Sequence, residues 1–369
     1  MGFSCGIIGL PNVGKSTLFN ALTSTISAQA ANYPFCTIVP NVGMVSVPDE
    51  RLLTLARLCQ SAKVVAAQIT FVDIAGLIRG ASRGEGLGNQ FLARIRSCDA
   101  VAHVLRCFDD ENIPHVEGSV NPLRDAETVE TELMLADLES LERRAGPLAK
   151  KAKVGDKEAK AQIAVIEPLL ESLRAGLPAR MVHFDSPEQM RIQQQLFLLT
   201  AKPMLYVCNV EEKASVTGNL YTEKVFSRAS AEKSAMVLCV AAAAEAAMVL
   251  QQYNIAYRPS LSDMLNTMET GLSRLIKSGY YLLDLITFFT VGPKETRAWT
   301  IRRGASAIEA AGIIHSDFKK GFIRAATITY GDFIVYNGEQ GAREAGKVRL
   351  EGKNYTVADG DIMHFLFSR

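Results

Sequence analysis

No apolar run in this chain reaches the roughly 18 residues that a membrane-spanning helix needs, and the opening MGFSCGIIGL reads straight into a strand with no cleavable leader. Charge of one sign is also lacking. The 40 basic and 39 acidic residues leave a formal net charge of +1, which excludes a dedicated polyanion binder but not a local basic patch. The seven cysteines are scattered, without a CxxC pair, so reduced buried thiols are expected. Internal repeats and low-complexity segments are absent apart from the short alanine run at 241–247. With 48% hydrophobic residues over 369 positions, what remains is a globular, cytoplasmic chain of two or three modules.

Against these absences stands one dense motif. The segment Gly9-Leu10-Pro11-Asn12-Val13-Gly14-Lys15-Ser16 fits G-x-x-x-x-G-K-S, between a strand-like Cys5–Gly9 and a helix-like start at Ser16. Glycines let backbone N–H groups turn inward around a β-phosphate, and the helix N-terminus adds partial positive charge. Lys15 is predicted to reach the β- and γ-phosphates and the Ser16 hydroxyl to join a Mg²⁺ shell. Asn12, Val13, Gly14, Lys15, Ser16 and Thr17 form the expected phosphate cradle. Further on, QITFVDIAGL reads as an apolar strand ending at Asp73, which can hold a Mg²⁺-bound water, with Gly76 placed to offer its N–H to the γ-phosphate. Between the two, Thr37 is the candidate switch threonine, contributing its hydroxyl to Mg²⁺ when the γ-phosphate is present.

Two expected pieces are missing. A guanine reader carries N-K-x-D after a buried strand, whereas MLYVCNVEEK gives Asn209-Val210-Glu211-Glu212. The carboxylate that would accept from guanine N1–H and N2 is gone, and Glu212, longer by one methylene, cannot take its geometry unshifted. Guanine reading is therefore impaired, although this does not by itself establish adenine reading. Directly after D-x-x-G, where many GTPases place a glutamine to orient the attacking water, the chain has Leu77, so slow intrinsic hydrolysis is expected. Residues 125–200 carry apolar positions at three- and four-residue spacing, which suits two antiparallel helices joined near Lys150–Asp156. From Asp284 the pattern changes to short strands separated by glycine-rich turns.

GLPNVGKST, NYPFCTI with PNVG, DIAGLIRGASRGEGLGNQFL and GFIRA with DGDIMHF, in this order along nearly the whole chain, resemble the YchF/Obg-like ATPase family, a branch of the TRAFAC-class P-loop NTPases. The resemblance implies an α/β fold: an Obg-type G domain over 1–283 with a mostly parallel sheet and helices on both faces, a helical coiled-coil hairpin inserted at about 125–200, and a β-grasp-like TGS domain over 284–369. It further implies ATP preferred over GTP, with Asn209, the Val210 backbone, Glu212 and Ala242 around the base, and His115 linked to hydrolysis. Mg²⁺ is the expected cofactor, and K⁺ a candidate through Asn12. The implied partner is the ribosome or its RNA, met by a monomer. Lysines at the hairpin tip in LAKKAKVGDKEAK and the basic run FKKGFIR suit phosphate-backbone contact. A nucleotide-gated adaptor with negligible turnover and a conventional GTPase stay open as alternatives.

Overall fold

The computed structural model describes residues 3–30, 41–74, 87–231, 235–246 and 270–368. Thr37, Gly76 and Leu77 lie outside the described residues. The chain divides into two compact units: residues 3–43 with 70–255, and residues 44–69 with 256–369, to which 1–2 also belong.

The strands are β1 (Ser4–Ile8), β2 (Val42–Ser46), β3 (Val64–Val65), β4 (Gln68–Asp73), β5 (Ala100–Arg106), β6 (Met204–Asn209), β7 (Ala235–Val240), β8 (Leu285–Thr290), β9 (Thr296–Arg302), β10 (Phe322–Ile328), β11 (Arg349–Glu351) and β12 (Ile362–Phe367). The helices used below are α1 (Lys15–Ala30), α2 (Glu50–Leu58), α3 (Leu87–Ser97), α4 (Pro122–Lys153), α5 (Lys157–Arg174), α6 (Pro187–Gln195), α7 (Leu220–Ala231), α8 (Gly271–Leu282) and α9 (Ala307–Ile314).

The first unit is built on the run β4-β1-β5-β6-β7 of a six-stranded sheet. β1 pairs in parallel with β4 on one side and β5 on the other, and β5, β6 and β7 continue in parallel. Every residue of β5 and β6 is buried, as near-continuous apolar strands of a covered parallel sheet must be. Chain order reverses across β1, so the loop leaving its C-terminal end lies at the topological switch point, where open α/β sheets bind ligands.

Between β5 and β6 the chain leaves the sheet for the helical pair α4 and α5, which turns at Val154–Asp156. Asn121 caps α4 through its side chain, with Pro122 in the first turn, and Asp156 caps α5 by accepting from Glu158 and Ala159. Leu141, Val165, Ile166, Leu169 and Leu173 form the seam, continued by Leu196 and Leu198. At the root, Glu130 of α4 accepts from Arg180 at 3.1 Å and from Tyr206 Oη of β6 at 2.6 Å, and Arg228 of α7 approaches at 3.3 Å. Burial opposes ionisation of Glu130, but Arg180 and Arg228 outweigh it and hold the carboxyl below its ordinary value.

His103 of β5 is wholly buried beside Tyr206, and neither ring nitrogen has a hydrogen-bond partner among the described residues. Burial pulls it from 6.5 to about 4; Glu130 opposes this, while Arg228, Arg180 and Lys15 reinforce it. As pH falls the unfolded chain takes up this proton first, so His103 withdraws stability between about 6.5 and about 4. That loss is on the order of 3 kcal/mol. In His103→Leu the decline over this window should shrink by a comparable amount, measured by urea unfolding at a series of pH values. A variant whose profile overlays the parent would refute it.

The second unit carries the mixed sheet β11-β10-β12-β8-β9-β3. β8 and β9, β10 and β12, and β10 and β11 pair antiparallel, while β12–β8 and β3–β9 are parallel. α9, started by a Ser306–Glu309 capping box, packs Ala307, Ala310 and Ala311 against Phe288, Ile301, Met363 and Phe365. Residues 44–69 join this unit because β3 pairs with β9 and Ser61 bonds to Gly292 and Thr296. No described helix is long and apolar enough to cross a membrane.

Candidate functional site: a phosphate cradle at the end of the central strand

β1 delivers the chain into a loop that only particular residues can form. Gly9 has φ +147° and an added Cβ would lie 2.4 Å from the Val104 carbonyl; Gly14 has φ +97° and its Cβ would meet Asn209 Nδ2 at 2.2 Å. Asn12 also sits at positive φ, 60°, a conformation asparagine tolerates better than most residues. Lys15 is 7% exposed and donates from Nζ to the Leu10 carbonyl at 2.6 Å, closing the loop on itself. Burial pulls its pKa down to about 8, with Asp73 opposing the shift. An ammonium held this way gains most when an anion joins it.

Ser16 and Asp73 meet at the mouth of the cradle, the hydroxyl 3.4 Å from Asp73 Oδ2. Asp73 Oδ1 is buried without a hydrogen-bond partner among the described residues. Burial raises the Asp73 carboxyl, and Lys15 and Ser16 pull the other way. One hydroxyl and one carboxylate, the latter with an oxygen open, fit Mg²⁺, which takes few protein ligands and completes its shell with phosphates and water. No group of three or more His, Cys, Asp or Glu ligands occurs among the described residues.

At the end of β6, Asn209 is a clamp. Its Nδ2 donates to the Val13 carbonyl at 3.0 Å and its Oδ1 accepts from the Ala242 N–H at 3.1 Å, tying the phosphate loop to the segment after β7. Val210 is buried, with its N–H donated to the Val240 carbonyl. Asn209 Nδ2 carries a second hydrogen besides the one given to Val13. Glu212 begins a single 3₁₀ turn, exposed, and its carboxylate has no hydrogen bond among the described residues. Ser16 and Thr17 are exposed at the start of α1.

The loop from β5 to α4 carries His115, and the structure brings it to the cradle through Asn12, whose Nδ2 donates to the Pro114 carbonyl at 3.2 Å. Arg106, buried at the end of β5, pins this loop by donating to the carbonyls of Phe108, Asp110 and Ile113. Asn219 donates to the Cys107 carbonyl at 2.7 Å. Sequence reading missed Arg106, Asp125 and Glu130. A cation ending a wholly apolar strand and carboxylates spaced along a helix that must dock were the available signals. The six described cysteines are free and, Cys59 apart, buried.

A P-loop nucleotide-binding domain of the G-protein type is what this sheet and cradle define. Residues 4–140 match the family model described as 50S ribosome-binding GTPase, and residues 285–368 match the YchF-GTPase_C model, described as a protein of unknown function (DUF933). The chain is 52% identical over 369 residues to the ribosome-binding ATPase YchF of Haemophilus influenzae, covering 100% of both. It is 49% identical over 371 residues to that of Bacillus subtilis, again covering 100% of each. The solved Schizosaccharomyces pombe YchF GTPase superposes with a TM-score of 0.86 at 38% identity, covering 99% of this chain and 98% of that one. The chain belongs to the YchF family.

Proposed function

We propose that this protein is an ATP-binding, slowly ATP-hydrolysing switch that associates with the ribosome. The observation that carries the base preference is the end of β6. Asn209 is spent largely on clamping Val13 and Ala242, and the two positions that would hold the guanine reader's Lys and Asp are Val210 and Glu212. Adenine needs no carboxylate there, so the exposed Glu212 does it no harm, whereas guanine loses its N1–H and N2 acceptor. The names of the relatives, ribosome-binding ATPases, point the same way.

In this reading Lys15 neutralises the β- and γ-phosphates, and Ser16 and Asp73, with Thr37, hold Mg²⁺, which supplies charge neutralisation on the phosphates when bound. Gly76 offers its N–H to the γ-phosphate. Asn12 is the K⁺ candidate, His115 assists the water, and Val210 and Ala242 line the base. The modules are a G domain over 1–283 with its inserted hairpin and a TGS domain over 284–369. Lys150, Lys151 and Lys153 close α4 at the hairpin tip, where cations suit ribosomal RNA backbone. The protein works in the cytoplasm as a monomer.

Direct titration tests the base preference. ATP should bind at least tenfold tighter than GTP in the presence of Mg²⁺; GTP outcompeting ATP would return the protein to conventional GTPases. Single-turnover hydrolysis with and without ribosomes and K⁺ then separates a switch, whose turnover rises, from an adaptor, whose binding alone responds to nucleotide.

A further inference from the structure

His115 is not an exposed loop histidine. Its side chain is 6% exposed, its Nε2 lies 2.8 Å from Asp125 Oδ2, and Asp125 itself is 1% exposed. The other ring nitrogen, Nδ1, accepts the backbone N–H of Glu117 at 3.1 Å. A nitrogen that accepts cannot carry the proton, so the proton sits on Nε2 and is donated to Asp125. Both ring nitrogens are therefore engaged. The ring has no free lone pair to take a proton from water and no free N–H to offer a γ-phosphate. The surrounding loop is held to match: Arg106 grips three of its carbonyls, Asn12 grips Pro114, and Gly118 donates to the His115 carbonyl. Asp125 sits in the first turn of α4, where Arg124 approaches its second oxygen at 3.3 Å.

We propose that Asp125 is a positioning residue that keeps His115 stowed, and that slow turnover in the resting protein reflects this hold. The proposal rests on the reading of His115 as the residue that assists hydrolysis. An Asp–His pair could instead activate the histidine, as an orienting carboxylate does for a general base. The geometry opposes that alternative, because the nitrogen left for water is already taken by Glu117 and the ring is buried. Freeing the ring means breaking a hydrogen bond to a buried carboxyl, which sets a population factor of roughly tenfold or more.

Two measurements on the full chain with saturating Mg²⁺ and K⁺ test this: single-turnover ATP hydrolysis, and nitrogen-15 spectra of the histidine rings, which report the tautomer. Asp125→Ala should raise the hydrolysis rate roughly tenfold or more with KM little changed, and the Nε2–H signature of His115 should disappear. Asp125→Asn still accepts from Nε2 and should stay close to the parent in both readouts. The double variant Asp125→Ala/His115→Ala should fall back to the level of His115→Ala. Asp125→Ser, which a first helical turn tolerates, serves if the alanine variant does not fold. An alanine or serine variant that is folded but no faster than the parent overturns the proposal, and a slower one favours the activating pair. If His115→Ala hydrolyses as fast as the parent, the reading of His115 falls and its link to turnover with it. The ring spectra separate that outcome from a failure of the hold itself.

Discussion

Lys15→Ala should lower ATP hydrolysis by about 100- to 1,000-fold, the range seen when one fixed charge-stabilising group is removed from a transition state, and should weaken binding of the triphosphate as well. Lys15 is the cation inside the cradle, buried, with its Nζ on the Leu10 carbonyl and Asp73 nearby. A shortened side chain leaves the β- and γ-phosphates facing backbone donors alone. Arginine is no substitute, since its planar fork does not fit a space shaped for a point charge. The nucleotide-free fold should not suffer. A lysine whose pKa is pulled down to about 8 is one whose charge the fold holds at a loss, so the melting temperature without nucleotide should hold or rise. The stabilisation by added ATP should disappear. Calorimetric titration, single-turnover hydrolysis and melting curves check the three parts, and an alanine variant within threefold of the parent rate would remove Lys15 from its assigned role.

Breaking the ionic cluster at the hairpin root should be the most destabilising single change outside the cradle. Glu130→Leu removes the carboxylate that Arg180, 2% exposed, shares with Arg228, and removes an acceptor of Tyr206 Oη. Buried pairs broken on one side typically lose about 3–5 kcal/mol, whereas replacing both partners with apolar groups is far milder. Glu130→Leu/Arg180→Met should accordingly be more stable than Glu130→Leu alone, a non-additivity that urea unfolding in a double-mutant cycle reads directly. Equal losses in the single and double variants would mean that the cluster contributes nothing as a unit.

Much of the first unit was legible because its grammar is local. A strand, eight residues of P-loop and a helix start specify the cradle within one short window, and Asp73 ends the next buried strand as its apolar run implied. The hairpin showed in its periodicity, and its turn lies at Val154–Asp156 inside the expected stretch. The joining of residues 44–69 to the C-terminal part was illegible, because it depends on β3 pairing with a strand more than two hundred residues away. The setting of His115 was hidden for a related reason. A loop position carries no record of burial, and only folding shows that Asp125 holds the ring while Arg106 pins the loop. Asn209 read as a base contact, and the tertiary structure adds its clamp on Val13 and Ala242. Burial and hydrogen-bond partners at such sequence distances are set by topology, and a single sequence records them only as isolated polar residues in apolar surroundings.

The root of α4 is riveted twice. Glu130 fastens the helix to β6 through Tyr206, and Asp137, about 10 Å further along, accepts from the Leu199 and Thr200 N–H groups and from the Thr200 hydroxyl. Two fixings one above the other on the same face of a helix set its heading as well as its foothold, so the hairpin leaves the sheet along a fixed line.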